Sequence, residues 1–492
     1  MSDKKNFKEG LKATSIFGGV QVFNILIGVV RSKLVAIILG PEGIGLNGIL
    51  QSTIQLVNGV SGFGLGTSAV KDVSESYASG DEMKLSRTIS VFRKLVWVTG
   101  LFGFIACFIL SPLLSKVSFD SYDYILAFAA VSVTVLFMQL TEGQRVLLQG
   151  THRYKYMAKA SVIGSVIGLF TTIPLYYVFG MNGVVPAIIL ASITSLCLMW
   201  YFAKKVIYEN QHVSLQVALH EGRGMMKMGF FLSLQGLLSL LMVYVLRIFI
   251  NRFGGLADVG LFVAGFAIVD TYVGMVFSAM STEYYPRLAS HNNGTVEEYN
   301  ETINQQIELS LMLISPLICV FLIFGNFAVS LLYSDKFLPV TMMLCLAIMG
   351  NYFKAPSWCV GYSFLAKGDA LGFFYNEVFA SFLSTVLKIV FYYFWGLNGI
   401  GIAYLLGFFL YFLQVVIACK IRYSYKFDMN IMSTYVFQII LGIGCFLLFV
   451  GVMPWVRYSV GLIPILLSTF LSYRVLNNYI NVKQVLFNII KR

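Results

Sequence analysis

The octapeptide Tyr176-Tyr-Val-Phe-Gly-Met-Asn-Gly183 recurs 216 residues later in this chain, as Tyr392-Tyr-Phe-Trp-Gly-Leu-Asn-Gly399. Each copy separates two long apolar stretches, and its Gly and Asn residues predict a tight turn between two helices. The same offset carries Arg31 onto Arg247. Matches that recur at one spacing indicate an internal duplication, so the two halves of the chain are expected to share one architecture.

The composition places this architecture in a membrane. Hydrophobic residues make up 58% of the 492 residues and charged residues only 12%, whereas a soluble domain carries roughly 25% charged residues. This excludes an ordinary soluble protein and a disordered one. The apolar runs are continuous, whereas a membrane barrel alternates apolar and polar residues in strands of about 10 residues. The sequence therefore predicts an all-α polytopic membrane protein, in which each helix satisfies its own backbone hydrogen bonds.

Fourteen segments have the ~20 apolar residues that a membrane-spanning helix needs. They lie at about 14–38, 44–70, 92–114, 124–147, 160–179, 184–203, 228–250, 259–280, 307–332, 340–365, 371–394, 399–419, 433–453 and 459–475. Six spans in each half give both halves the same orientation, which predicts two six-helix bundles in a parallel pseudo-twofold repeat. A substrate path is expected between the two halves.

The predicted domains follow from this count. They are an N-terminal six-helix bundle at 1–203, a cytoplasmic linker at 204–226, a second six-helix bundle at 227–420, and an extra helix pair with a basic tail at 421–492. The part of the tail from residue 477 onward is expected to lie on the membrane surface, because it is basic and carries scattered Val, Leu, Phe and Ile residues.

The distribution of basic residues predicts the orientation. With the N-terminus in the cytoplasm, the cytoplasmic stretches hold 25 Lys and Arg residues and the opposite loops hold four. This asymmetry fits the positive-inside rule and places both termini in the cytoplasm. It also accounts for the net charge of +12 without a nucleic-acid partner.

Charges inside the predicted spans are the sharpest functional signal, because each one costs ~2.5–3.5 kcal/mol at mid-membrane. Among the residues well inside the spans, away from their ends, six are basic and three are acidic, which leaves a surplus of three positive charges: Arg31, Lys33, Arg145, Arg247, Lys354 and Lys388 against Glu142, Asp270 and Glu377. Such a surplus either snorkels to the interface or lines a wet cavity that faces an anion.

Four of the basic residues are the predicted substrate-binding groups. Arg31 and Arg247 occupy symmetric positions in the first and seventh spans. Lys354 lies mid-span on the face that carries Asn351 and Trp358, and Lys388 lies nearer the end of its span.

The three acidic residues carry two alternatives. Glu142 and Arg145 stand three residues apart, which favours a structural ion pair. Asp270 and Glu377 either pair with basic residues or take up a proton or Na⁺ that couples to transport.

Nothing in the sequence indicates catalysis, a metal or a cofactor. The four histidines all fall in predicted cytoplasmic loops without metal-ligand spacing, and the seven cysteines show no framework spacing. The stretch Gly62-Phe-Gly-Leu-Gly66 lacks the Lys-Ser/Thr of a phosphate loop. Every predicted external loop has about ten residues or fewer, which argues against a membrane glycan polymerase or ligase. We therefore predict a protein that is not an enzyme and that binds no cofactor.

Several short stretches resemble the Wzx-type polysaccharide flippases, which belong to the MOP superfamily with the lipid II flippase and the MATE drug exporters. The resemblance rests on Arg31-Ser-Lys-Leu-Val-Ala-Ile-Ile-Leu-Gly-Pro-Glu-Gly-Ile-Gly45 in the first hairpin, on 66–72, on the loop at 148–155, and on 254–260. It covers about residues 12–420. The extra helix pair departs from many Wzx-type proteins, which stop at twelve helices.

The resemblance implies a MATE-like fold with alternating access, in the bacterial inner membrane. It implies as cargo an undecaprenyl-pyrophosphate-linked oligosaccharide, such as an O-antigen or capsule repeat unit, whose anionic head meets Arg31 and Arg247. Its implied partners are that cargo, membrane lipids, and a polysaccharide polymerase with other assembly proteins. A MATE-like exporter of cationic drugs is the alternative, although such a cavity would favour acidic residues over the basic surplus found here.

Overall fold

The computed structural model describes residues 2–206, 208 and 211–479, and every regular element in this part of the chain is helical. The fifteen α-helices are α1 (Ser2–Gly62), α2 (Leu65–Ala78), α3 (Glu82–Ile109), α4 (Ser111–Phe119), α5 (Ile125–Gly150), α6 (Tyr154–Phe179), α7 (Val184–Ala203), α8 (Leu215–Glu221), α9 (Arg223–Ile268), α10 (Gly274–Ser290), α11 (Val296–Leu332), α12 (Thr341–Ala366), α13 (Ala370–Tyr423), α14 (Met429–Gly451) and α15 (Pro454–Tyr479). The basic tail beyond residue 479, predicted to lie on the membrane surface, is outside the described residues.

Ten helical stretches among the described residues are long and apolar enough to cross a membrane. Four of them are 44 to 56 residues long, and each holds two of the predicted spans: Gly19–Gly62, Tyr154–Ala203, Arg223–Ser278 and Ala370–Tyr423. Six single and four double stretches account for all fourteen predicted spans. The prediction of an all-α polytopic membrane protein is confirmed.

The four double stretches all turn at a glycine in a left-handed backbone conformation. The φ angles are 64° at Gly40, 54° at Gly180, 78° at Gly255 and 57° at Gly396. Only glycine adopts such angles without steric strain, because it has no Cβ. Gly40 and Gly255 stand 215 residues apart, and Gly180 and Gly396 stand 216 apart. The duplication seen in the sequence is therefore a duplication of helical hairpins.

The chain forms two compact units, unit 1 at Met1–Gly260 and unit 2 at Leu261–Arg492. The boundary falls inside α9, five residues after the Gly255 turn, so the seventh predicted span packs with the first six. The sequence-based division, with a linker at 204–226, stays a prediction.

Direct main-chain contact explains why the seventh span packs in unit 1. A Cβ added to Gly45 would lie 2.0 Å from the Leu256 carbonyl oxygen, and one added to Gly260 would lie 1.8 Å from that of Pro41. Leu256 and Gly260 are the 215-residue counterparts of Pro41 and Gly45. The first hairpin of one half thus contacts the first hairpin of the other half. Each hairpin uses the same two positions for this contact, the residue after the turn glycine and the glycine four residues later.

The second predicted span, 44–70, is broken. Helix α1 ends at Gly62, α2 begins at Leu65, and between them Phe63 and Gly64 have φ angles of 48° and 60°. A Cβ on Gly64 would lie 2.1 Å from the carbonyl oxygen of Gly229 in α9. The break therefore lies where this span and the seventh span touch through their backbones.

In unit 2, the extra helix pair is packed by polar and small residues. Gln438 of α14 is fully buried, and it accepts a 2.7 Å hydrogen bond from Ser468 of α15 and donates to Ser472 at 3.3 Å. A Cβ on Gly442 would lie 2.6 Å from the ring of Tyr352 in α12. Helices α14 and α15 are therefore integral to unit 2.

Candidate functional site

Lys354 lies in the middle of α12, where the surrounding side chains are apolar or aromatic. Its Nζ donates a 3.2 Å hydrogen bond to the hydroxyl of Tyr404 in α13. The same Nζ lies 5.6 Å from the ring centroid of Phe277 and 5.3 Å from that of Phe408. Aromatic rings attract cations by ~0.5–2 kcal/mol, which offsets part of the cost of an ammonium inside the membrane.

Lys388 of α13 meets the same tyrosine. Its Nζ lies 5.6 Å from the Tyr404 ring centroid and 5.5 Å from that of Phe266. Tyr404 itself is only 4% exposed, and it packs so closely on Gly350 that a Cβ there would lie 2.7 Å from its ring. The buried ring of Tyr404 is therefore a neighbour common to both lysines.

Asp270 supplies the third charge. It lies in a π-helical turn at Val269–Val273, between α9 and α10, and its side chain is exposed. Its charge acts on both Lys354 and Lys388, and the two lysines act on each other. π-Helical turns are frequent at functional sites, because they redirect side chains within a helix. We call Lys354, Lys388, Tyr404 and Asp270 the lysine cluster.

The lysine cluster combines two basic side chains with one acidic side chain and lies within membrane-spanning helices of unit 2. Aromatic rings stabilise the two ammonium groups but do not neutralise them, and one carboxylate compensates only one of the two charges. Because charge-assisted hydrogen bonds to ammonium are the strong ones, the cluster can hold an oxyanion such as a phosphate.

The sequence predicted three members of the lysine cluster but missed Tyr404. Nothing in the sequence distinguishes Tyr404 from the other tyrosines in apolar spans. Asn351, predicted to share a cavity face with Lys354, is fully buried and donates to the carbonyl oxygens of Ala347 and Ile348 in its own helix. It therefore serves the helix backbone.

Arg31 and Arg247 lie in unit 1 and have different surroundings despite their symmetric sequence positions. Arg31 is exposed on α1, close enough for its charge to act on the Tyr176 hydroxyl. Arg247 is half-buried on α9, and its Nη1 donates a 2.7 Å hydrogen bond to the carbonyl oxygen of Gly48. Its Nε is buried without a hydrogen-bond partner among the described residues.

We expect Arg247→Ala to destabilise the protein, because it removes the bond to Gly48. A hydrogen bond to a charged group contributes about 1.5–3 kcal/mol, so thermal unfolding in detergent should occur at a lower temperature than for the wild type. Arg31→Ala is the matched variant and should unfold within the ~0.5 kcal/mol typical of surface changes. Equal unfolding temperatures for the two variants would contradict this assignment.

The remaining acidic candidates have local partners. Glu142 accepts a 2.8 Å hydrogen bond from Arg145 Nε and forms an ion pair with it. Glu377 accepts a hydrogen bond from the Tyr411 hydroxyl, which in turn accepts one from Asn376 at 3.2 Å. The ion coupling considered for Asp270, Glu377 and Glu142 stays a prediction. No group of three or more His, Cys, Asp or Glu residues in the described part of the chain could hold a metal ion.

Comparison with known families identifies the chain. The model of the family described as "Polysaccharide biosynthesis protein" matches residues 34–342, which is more than half of the sequence. The chain belongs to this polysaccharide biosynthesis protein family. None of the curated protein sequences matches it.

The fold of this polysaccharide biosynthesis protein is similar to that of solved flippase and MATE transporter structures. The lipid II flippase MurJ in its inward closed conformation superposes with a TM-score of 0.71 at 14% identity, covering 94% of this chain and 99% of its own. An inward-facing multidrug resistance MATE transporter gives 0.65 at 14% identity, over 82% and 94% of the two chains. A MOP superfamily transporter from Pyrococcus furiosus, whose binding pocket is described as having reversed polarity, gives 0.59 at 16%, over 84% and 96%. The MATE-like fold predicted from the sequence is confirmed.

Proposed function

We propose that the protein is a flippase that moves an undecaprenyl-pyrophosphate-linked oligosaccharide across the bacterial inner membrane by alternating access. The observation that carries this proposal is the lysine cluster, in which Lys354 and Lys388 share Tyr404 within membrane-spanning helices. One ammonium group hydrogen-bonded to the Tyr404 hydroxyl and a second 5.6 Å from the centre of its ring match an anionic pyrophosphate, while the polyprenyl tail remains in lipid. Membership in the polysaccharide biosynthesis protein family supports the choice of cargo.

The drug-exporter alternative requires a site for cations. At the lysine cluster, the aromatic rings of Phe277 and Phe408, which could bind a cation, already lie beside the ammonium group of Lys354. A second cation there would be repelled by both lysines. The arrangement therefore favours an anionic cargo, and we propose that the protein acts as a carrier and not as an enzyme.

Reconstitution into lipid vesicles tests the proposal. We expect wild-type protein to move a fluorescent undecaprenyl-pyrophosphate oligosaccharide between leaflets, measured as the fraction of label that an impermeant quencher reaches. The matched cargo is a cationic dye such as ethidium, which should not move. Movement of the dye without movement of the lipid-linked sugar would overturn the proposal in favour of the exporter.

A further inference from the structure

Unit 1 contains a cavity of its own, whose lining combines apolar side chains, glycines and several polar side chains. It has a volume of about 660 Å³ and lies between the second half of α1, the start of α2, and helices α5, α7 and α9. Small-molecule sites commonly occupy about 300–1,000 Å³. Eight of its lining side chains carry a hydroxyl, amide or carboxyl group: Asn58, Thr67, Gln139, Thr141, Glu142, Ser192, Ser195 and Ser233.

Glycines form the wall that faces the polar side chains of α5. A Cβ on Gly62 would lie 2.3 Å from Gln139 Nε2, and one on Gly66 would lie 2.3 Å from Glu142 Oε1. The amide and carboxylate therefore approach the main chain of the second span directly. Close packing of small residues would have left no cavity, whereas here the glycines border an open volume.

The charges of the cavity exclude an anion as its main ligand. No Lys or Arg lines it, and its one ionisable lining group, Glu142, is paired with Arg145. Hydroxyl and amide groups both donate and accept hydrogen bonds, as sugar hydroxyls do. These polar groups therefore match the hydroxyl groups of a neutral ligand.

Asn58 provides an independent sign of incomplete hydrogen bonding at this wall. Its main-chain carbonyl oxygen accepts a 3.0 Å hydrogen bond from Gln139 Nε2. Its side-chain oxygen, Oδ1, is buried without a hydrogen-bond partner among the described residues. A buried acceptor left unpaired costs about 1–3 kcal/mol. A small rotation of this amide toward a ligand hydroxyl would recover that free energy.

We propose that the unit 1 cavity binds the uncharged, hydroxyl-rich sugar portion of the cargo. The inference rests on the proposed function: the lysine cluster of unit 2 binds the phosphate, and the unit 1 cavity selects the sugar. A site built to hydrogen-bond hydroxyls discriminates strongly, because a wrong partner leaves its polar groups unpaired. The lysine cluster thus provides affinity for the lipid carrier, and the unit 1 cavity provides specificity for the glycan.

Gly236→Leu tests the inference by filling the cavity. Gly236 lines it, and no heavy atom lies within 4 Å of a Cβ at this position, so the leucine enters open volume. Binding is measured in detergent with two probes, bare undecaprenyl pyrophosphate and the same lipid carrying the host oligosaccharide. We expect about tenfold weaker binding of the glycan-bearing probe, with binding of the bare probe within about twofold of wild type.

Two further variants serve as controls. Gly224→Leu makes the same change in the same helix, away from the cavity and again with no heavy atom within 4 Å, and it should bind both probes as wild type does. Ser195→Leu fills the cavity from α7 and should repeat the Gly236→Leu result, which keeps the test valid if one variant fails to fold.

The outcomes separate the two proposals. If both filling variants bind the glycan-bearing probe as tightly as wild type, or lose both probes equally, the sugar site is refuted and the flippase proposal stands. If wild-type protein binds neither probe, the proposed function is wrong and the sugar site falls with it.

Discussion

Lys354→Gln is expected to abolish transport of the lipid-linked oligosaccharide without unfolding the protein. The substitution removes one of the two ammonium groups that share Tyr404. A hydrogen bond to a charged group contributes about 1.5–3 kcal/mol, which corresponds to roughly 10- to 100-fold in affinity for the pyrophosphate. The measurement is vesicle transport together with binding of bare undecaprenyl pyrophosphate. Lys388→Gln should act in the same way, and the double variant should bind no detectable pyrophosphate.

The thermal stability of these variants distinguishes binding from a structural role. Glutamine keeps a hydrogen-bond donor at the substituted position, and in each single variant the other lysine still compensates Asp270, so each single variant should unfold near the wild-type temperature. Lys336→Gln is the matched control, because Lys336 is an exposed lysine of unit 2 outside the lysine cluster, and it should transport as wild type does. Normal pyrophosphate binding by the double variant would show that the cluster is structural.

Gly260→Ala is expected to have the largest effect on folding. The added Cβ would lie 1.8 Å from the Pro41 carbonyl oxygen, and both contacting atoms belong to rigid helical backbone. The two hairpins must separate, at a cost at or above the ~3 kcal/mol upper end of core overpacking. We expect little or no monodisperse protein by fluorescence-detected size-exclusion chromatography, and early thermal unfolding of any that remains.

Gly274→Ala is the control for the Gly260 variant. Gly274 also lies in a helix, with φ −60°, and has no heavy atom within 4 Å of a Cβ. Alanine favours helix over glycine by about 1 kcal/mol, so this variant should be as stable as wild type or slightly more stable. A Gly260→Ala protein that unfolds at the wild-type temperature would refute direct contact between the two hairpins.

Much of the fold was predictable because a bilayer restricts the sequence. Each span needs about 20 apolar residues, so all fourteen spans were visible, and the repeated octapeptide marked two of the four glycine turns. The break at Phe63–Gly64 was not located from the sequence, because the glycines of this stretch permit either close packing or a bend and its residues are as apolar as their surroundings. Contact with Gly229 occurs there, and contacts between distant segments leave no local pattern.

The candidate site was predictable only in part. Charges inside spans are rare and costly, which singled out Lys354, Lys388 and Asp270. Their proximity depends on how α12, α13 and the π-helical turn pack, and a tyrosine in an apolar span carries no comparable signal. The equal treatment of Arg31 and Arg247 rested on sequence symmetry, whereas the neighbours of the two residues differ.

The sequence by itself determined the membrane class, the number of spans, the duplication and the few charges available for function. These properties follow from the hydropathy, length and spacing of single segments, because the lipid requires each spanning helix to satisfy its own backbone hydrogen bonds. Only the tertiary structure decided that two lysines share one tyrosine, that the seventh span packs against the first hairpin, and that glycines and polar side chains of distant helices border one cavity. The physical reason is that such contacts join residues far apart in the chain, at distances of a few ångströms that helix packing alone sets.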